Sequence, residues 1–104
     1  MNLEQLISFL QELSIASKNI KSKEDLQAAM REHDVLFLGE DFKLVYTDEF
    51  CYALSKKFKK YIPIEEINSL VPSACSYLNL EYKARYNIAD LQNTTPAAYE
   101  ITLK

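Results

Sequence analysis

The chain contains one glycine, Gly39, one histidine, His33, and no tryptophan. A single glycine excludes phosphate-cradling loops of the Walker or dinucleotide-binding kind, which need several positions where backbone N–H groups approach a phosphate closely. The same scarcity excludes flexible glycine-rich linkers. The two cysteines, Cys51 and Cys75, stand 24 positions apart, so no short zinc-ligand spacing is present. Neither G-x-S-x-G nor H-E-x-x-H occurs. The longest unbroken apolar run, Phe50 to Leu54, is far too short to cross a bilayer. The sequence therefore predicts no catalytic set, no metal and no cofactor.

What is present is an ordinary globular balance. Of 104 residues, 48% are hydrophobic and 26% charged, which suits one domain over residues 1–104 and argues against a disordered chain. Seven tyrosines and five phenylalanines are ample for one core. Most of the tyrosines are expected in that core or at its rim, with one or two left outside. The net charge is −3. Residues 1–46 carry 5 basic and 8 acidic groups, whereas residues 47–104 carry 7 of each. An acidic balance disfavours general binding to nucleic acid or anionic membrane, while leaving room for a local basic patch. Met-Asn-Leu-Glu-Gln carries no secretory signal, so a cytoplasmic setting and buried free thiols are expected.

Periodicity predicts the elements. Asn2 and Gln5 have capping-box spacing, and Leu3, Leu6, Ile7, Leu10 and Leu13 recur as a helical stripe, giving a helix over about 3–17. Ser22 caps a second helix with Asp25 at its third position. Val35–Leu38 and Phe42–Tyr46 read as a hairpin turning at Gly39, with Phe42, Leu44 and Tyr46 on one face. Thr47 or Asp48 caps a third helix, whose inward stripe is Phe50, Cys51, Leu54 and Phe58. A short fourth helix follows Pro63, and Pro72 opens a fifth. Leu80, Tyr82, Ala84, Tyr86 and Ile88 alternate with polar residues, predicting a nine-residue strand with one buried face. Ala89 to Ala97 reads as a loop, and Tyr99, Ile101 and Leu103 mark a last strand antiparallel to it. The expected architecture is α+β, in the order ααββαααββ: about four antiparallel strands with helices packed on one face.

Function must then be sought on the surface. Glu40, Asp41, Asp48 and Glu49 cluster in sequence around the first hairpin and the start of the third helix. Turns and helix starts attract acids for structural reasons. The same four acids, beside an exposed tyrosine, would also steer and hold a basic protein partner. The leading expectation is a non-enzymatic protein-binding module, a stoichiometric inhibitor of a basic partner of the kind that immunity proteins exemplify. Lys56, Lys57, Lys59 and Lys60 complement a helix dipole, or alternatively meet phosphates. The elements from the third helix onward resemble the order of a winged helix-turn-helix, which implies a DNA-binding regulator as the alternative. Residues 73–79, in the recognition position, carry no Arg or Lys, and neither does the wing loop. Glu81-Tyr82-Lys83 resembles a fragment of a metal-dependent nuclease motif, although alternating charge on any exposed strand produces it readily. His33, beside Met30 on a helical stripe, is expected to pack rather than ligate.

Overall fold

The computed structural model describes residues 1–87 and 95–104. The order is α1 (Leu3–Lys18), α2 (Lys23–His33), β1 (Leu44–Tyr46), a 3-10 turn at Thr47–Glu49, α3 (Phe50–Phe58), α4 (Ile64–Leu78), β2 (Glu81–Arg85) and β3 (Ala98–Thr102). The capping box forms as its spacing demands: Gln5 N–H donates to Asn2 Oδ1 at 2.9 Å, and Asn2 N–H donates to Gln5 Oε1 at 2.9 Å. Ser22 Oγ accepts from Asp25 N–H at 3.1 Å and starts α2.

The sheet is a three-stranded antiparallel one in the order β1-β3-β2, so the four-stranded expectation is corrected within an α+β class that stands. Val35–Leu38 contributes only an isolated bridge, Leu38 to Leu44. The reason lies in the turn, whose backbone is left-handed at Gly39 (φ 83°) and again three residues later at Phe42 (φ 56°). That geometry turns the chain too late for a full hairpin, and Phe42 leaves the strand face predicted for it. Ser17 Oγ holds the turn by donating to Phe42 O at 2.7 Å.

The fourth and fifth helices are one. Pro72 lies inside α4, where it removes a backbone bond at a cost of about 3 kcal/mol. The apolar stripe Ile67, Val71, Ala74 and Cys75 runs unbroken past it and is buried throughout. Each such side chain gains roughly 1.5–3 kcal/mol on full burial, or less for alanine, so the stripe prevails. This face packs on α1, whose Leu6, Leu10 and Leu13 are fully buried. Phe9 meets Phe50 edge-on, with ring centroids 5.1 Å apart, and so brings α3 into the same core.

The strand predicted to be nine residues long is five, Glu81–Arg85, and its predicted buried face is half open: Tyr82 and Tyr86 are both exposed. Helix α4 packs against β3 more than against this outer strand. The continuation through Ile88, and the loop expected from Ala89, fall on residues 88–94 and lie outside the described residues.

With one glycine available, the helices end on other residues. Asp34, Lys59 and Asn79 take the left-handed cap of α2, α3 and α4. Buried polar ties complete the frame. Thr47 Oγ1 donates to Asn68 Oδ1 and accepts from Tyr99 N–H, both at 2.8 Å, joining β1, α4 and β3 at one point.

Candidate functional site

The four acids singled out by sequence lie as two pairs at the two ends of β1. Glu40 and Asp41 sit on the turn before β1, and Asp48 and Glu49 on the 3-10 turn after it. Strand β1, Leu44–Tyr46, lies between the pairs and puts about 10 Å of strand between them. The first pair lies beside the end of α1, because Ser17 ties that turn down. The second pair stands near the start of α3, close enough for Asp48, with Glu65, to act on the Cys51 thiol. Burial first, then those two carboxylates, push its pKa up. Glu40, Asp41 and Asp48 are exposed and Glu49 is half-buried. Among the described residues none of the four has an ion-pair or side-chain hydrogen-bond partner.

The lysines are treated differently. Lys57 Nζ reaches both carboxylate oxygens of Glu12, at 2.8 and 2.9 Å. Lys56 Nζ lies 3.3 Å from Asp34 Oδ2. Half of the cluster that sequence offered to phosphates therefore fastens α3 to α1 and to the end of α2. Lys59 and Lys60 remain exposed. On α4 the exposed residues are Glu65, Ser69, Ser73, Ser76 and Tyr77, with no base among them.

Sequence reasoning missed a cleft between α1 and α2. It measures about 580 Å³ and is lined by Glu12, Asp25, Glu32 and His33 over a floor that includes Ile15, Ala16 and Ala28. Ile15 is 62% exposed although it is a large apolar side chain. Its position off the Leu6–Leu10–Leu13 stripe was the available signal. His33 is half-buried, packs edge-on against Phe37 at 6.3 Å, and has Glu32 3.9 Å from Nε2. It is a packing residue at the rim of this cleft.

The tyrosines are also distributed differently from expectation. Tyr52, Tyr61, Tyr77, Tyr82 and Tyr86 are exposed, and only Tyr46 and Tyr99 are half-buried. The reason is one of position: Tyr61 lies in the α3–α4 connection (82% exposed), Tyr77 on the outer face of α4, and Tyr82 and Tyr86 along the outer strand. Tyr82 and Tyr99 meet edge-on at 5.7 Å. Burial, together with the nearby Tyr86 and Tyr82 hydroxyls, raises the pKa of Tyr99.

Glu81 and Lys83 are exposed on one face of β2. Among the described residues no three His, Cys, Asp or Glu side chains converge where they could hold a metal ion. Both cysteines are free thiols. Among the described residues no helix is long and apolar enough to cross a membrane. No family model matches this chain, and no curated protein or solved structure matches it either.

Proposed function

We propose that this chain is a non-enzymatic protein-binding module that occludes a basic protein partner, in the manner of a small stoichiometric inhibitor such as an immunity protein. One observation carries the reading. The acids Glu40, Asp41, Asp48 and Glu49, at the two ends of β1, have no ion-pair or side-chain hydrogen-bond partner among the described residues, and Lys43, the one base between the two pairs, is half-buried. The two turns therefore leave four carboxylates to meet another molecule. Exposed tyrosine adds rigid, amphipathic contact area. The cleft between α1 and α2 adds Asp25 and Glu32 to the acidic surface, its third carboxylate, Glu12, being held by Lys57.

The proposed mechanism is steering followed by occlusion. Free carboxylates raise the encounter rate and pair with Lys or Arg, and the partner's working surface is covered. The test is a native pull-down, followed by titration of the captured protein against E40K/D41K and D48K/E49K separately and then combined. The combined reversal is expected to weaken association by tenfold or more, with strong salt dependence in the native pair. Affinity unchanged by the combined reversal ends the electrostatic mechanism.

A second reading, a DNA-binding regulator, has a specific observation behind it. From α3 onward the order is helix, helix, strand, strand, with α4 one continuous helix of 15 residues before β2 and β3, one helix fewer than the winged helix-turn-helix order expected from the sequence. Mobility shift on mixed duplex at low ionic strength separates the two. On this reading the shift is present and is lost in K59A/K60A. Absence of a shift where phosphate contacts are strongest disposes of it.

A further inference from the structure

The two edges of the sheet are not equally covered. Strand β1 has Leu38 bonded along its outer side, with Leu38 N–H donating to Leu44 O at 2.8 Å and Leu44 N–H donating to Leu38 O at 3.0 Å. Strand β2 has no such neighbour among the described residues.

Its outward hydrogen-bonding groups can be identified. In β3, Leu103 N–H donates to Lys43 O at 2.7 Å, and Tyr99 N–H donates to Thr47 Oγ1, so the odd-numbered residues of β3 direct their backbone groups toward β1. The even-numbered residues Ala98, Glu100 and Thr102 must then face β2. Their partners are Arg85, Lys83 and Glu81. Backbone N–H and C=O of Tyr82 and Ala84 consequently point away from the sheet, toward an edge that no other described residue occupies. The side chains follow the other alternation: Glu81, Lys83 and Arg85 share the face of Glu100, and Tyr82 and Ala84 share the face of Tyr99 and Ile101.

We propose that this edge pairs antiparallel with β2 of a second copy, about a two-fold axis at Tyr82. Charge chooses the register. Centred on Tyr82, each Glu81 stands opposite the other copy's Lys83, and Tyr82 faces its own symmetry mate. Tyr82 N–H groups then bond the opposing Tyr82 carbonyls, and Ala84 N–H groups bond the opposing Leu80 carbonyls. Centring on Lys83 instead sets two ammonium groups directly across from each other, which is unfavourable. Centring on Ala84 sets Lys83 against Arg85. Among the described residues neither Glu81 nor Lys83 has an ion-pair partner within the chain, whereas Arg85 is already held by Glu100 and Tyr46. Pairing produces one six-stranded antiparallel sheet and closes with two copies, as an isologous contact must.

A five-residue edge buries less than the roughly 800 Å² per partner of a standard interface. The dimer is therefore weak, with a dissociation constant of about 0.1–1 mM, and is read by sedimentation equilibrium over that range. The native chain is expected to pass from monomer to dimer. K83E and E81K, both at exposed positions, are each expected to stay monomeric with unchanged circular dichroism. An equimolar mixture of the two variants restores every opposite-charge pair, so it is expected to dimerise where neither does alone. A native chain monomeric at about 1 mM, or association beyond the dimer, overturns the proposal. A mixture that remains monomeric overturns the register. Because neither variant touches Glu40, Asp41, Asp48 or Glu49, failure here leaves the capture of a basic partner standing.

Discussion

Strands β1 and β2 flank the same central strand, yet they solve the problem of being an edge in opposite ways. Strand β1 has three residues, with Val45 fully buried, Leu38 bonded outside it and Thr47 locked at its end. Strand β2 is longer, exposed along nearly its whole length, and among the described residues guarded only by the charges of Glu81, Lys83 and Arg85. The first edge is part of the core, and the second is surface that happens to be a strand. An edge guarded by charge alone repels most neighbours and accepts a complementary one.

The sharpest way to break the contrast is Thr47→Val. It strands the Tyr99 N–H and Asn68 Oδ1 in a buried place, and is expected to cost about 2–4 kcal/mol by urea unfolding. Val45→Ala, in the middle of β1, is expected to cost about 2 kcal/mol. Tyr82→Ala, in the middle of β2, removes an edge-to-face pair with Tyr99 and should cost only about 0.5–1 kcal/mol. Equal losses at Val45 and Tyr82 would erase the distinction between the edges.

Alkaline pH sharpens it from another side. Burial pushes the Cys75 thiol, on the packed face of α4, from its ordinary 9.0 up to about 11. A thiol raised on folding supports the native state fully below about 9 and loses that support as pH rises toward about 11. The native chain should therefore lose stability through that window, whereas Cys75→Ala, compared with its own value at neutral pH, should show a shallower decline. A curve of unchanged slope in the variant would show that the thiol is not carrying the effect. The smallest change expected is a gain: Lys59→Gly relieves a side chain held at φ 55° and should stabilise α3 by about 0.5–1 kcal/mol.

The sequence was most informative where one local rule acts alone. Asn2 with Gln5, and Ser22 with Asp25, fix helix starts through bonds between near neighbours, and those bonds are present. Alternation at Tyr99 and Ile101 likewise identified β3, and its antiparallel pairing with β2 was foreseen. Failures arose where distant packing overrode a local signal. Pro72 announces a helix start, but the stripe on either side of it is buried against α1. The alternation in β2 is perfect, yet period alone cannot tell whether a helix will cover the apolar side. The candidate acids were legible as residues, and so was the strand between the two pairs, although it is shorter than the predicted Phe42–Tyr46. The cleft between α1 and α2 was invisible, because it belongs to the space between two helices, each of which looks ordinary.

Asp34 ends α2 in a left-handed turn and, with the side chain a glycine would lack, reaches Lys56 of α3. Only Ala29 of that helix is buried. One wall of the cleft is thus a lightly anchored rod with a charged latch at its far end. Raising the salt concentration should slacken the latch before it disturbs anything else, and amide hydrogens of α2 should then exchange sooner than those of α1 or α4. The width of the opening becomes adjustable, and a guest seated there would announce itself by slowing that exchange.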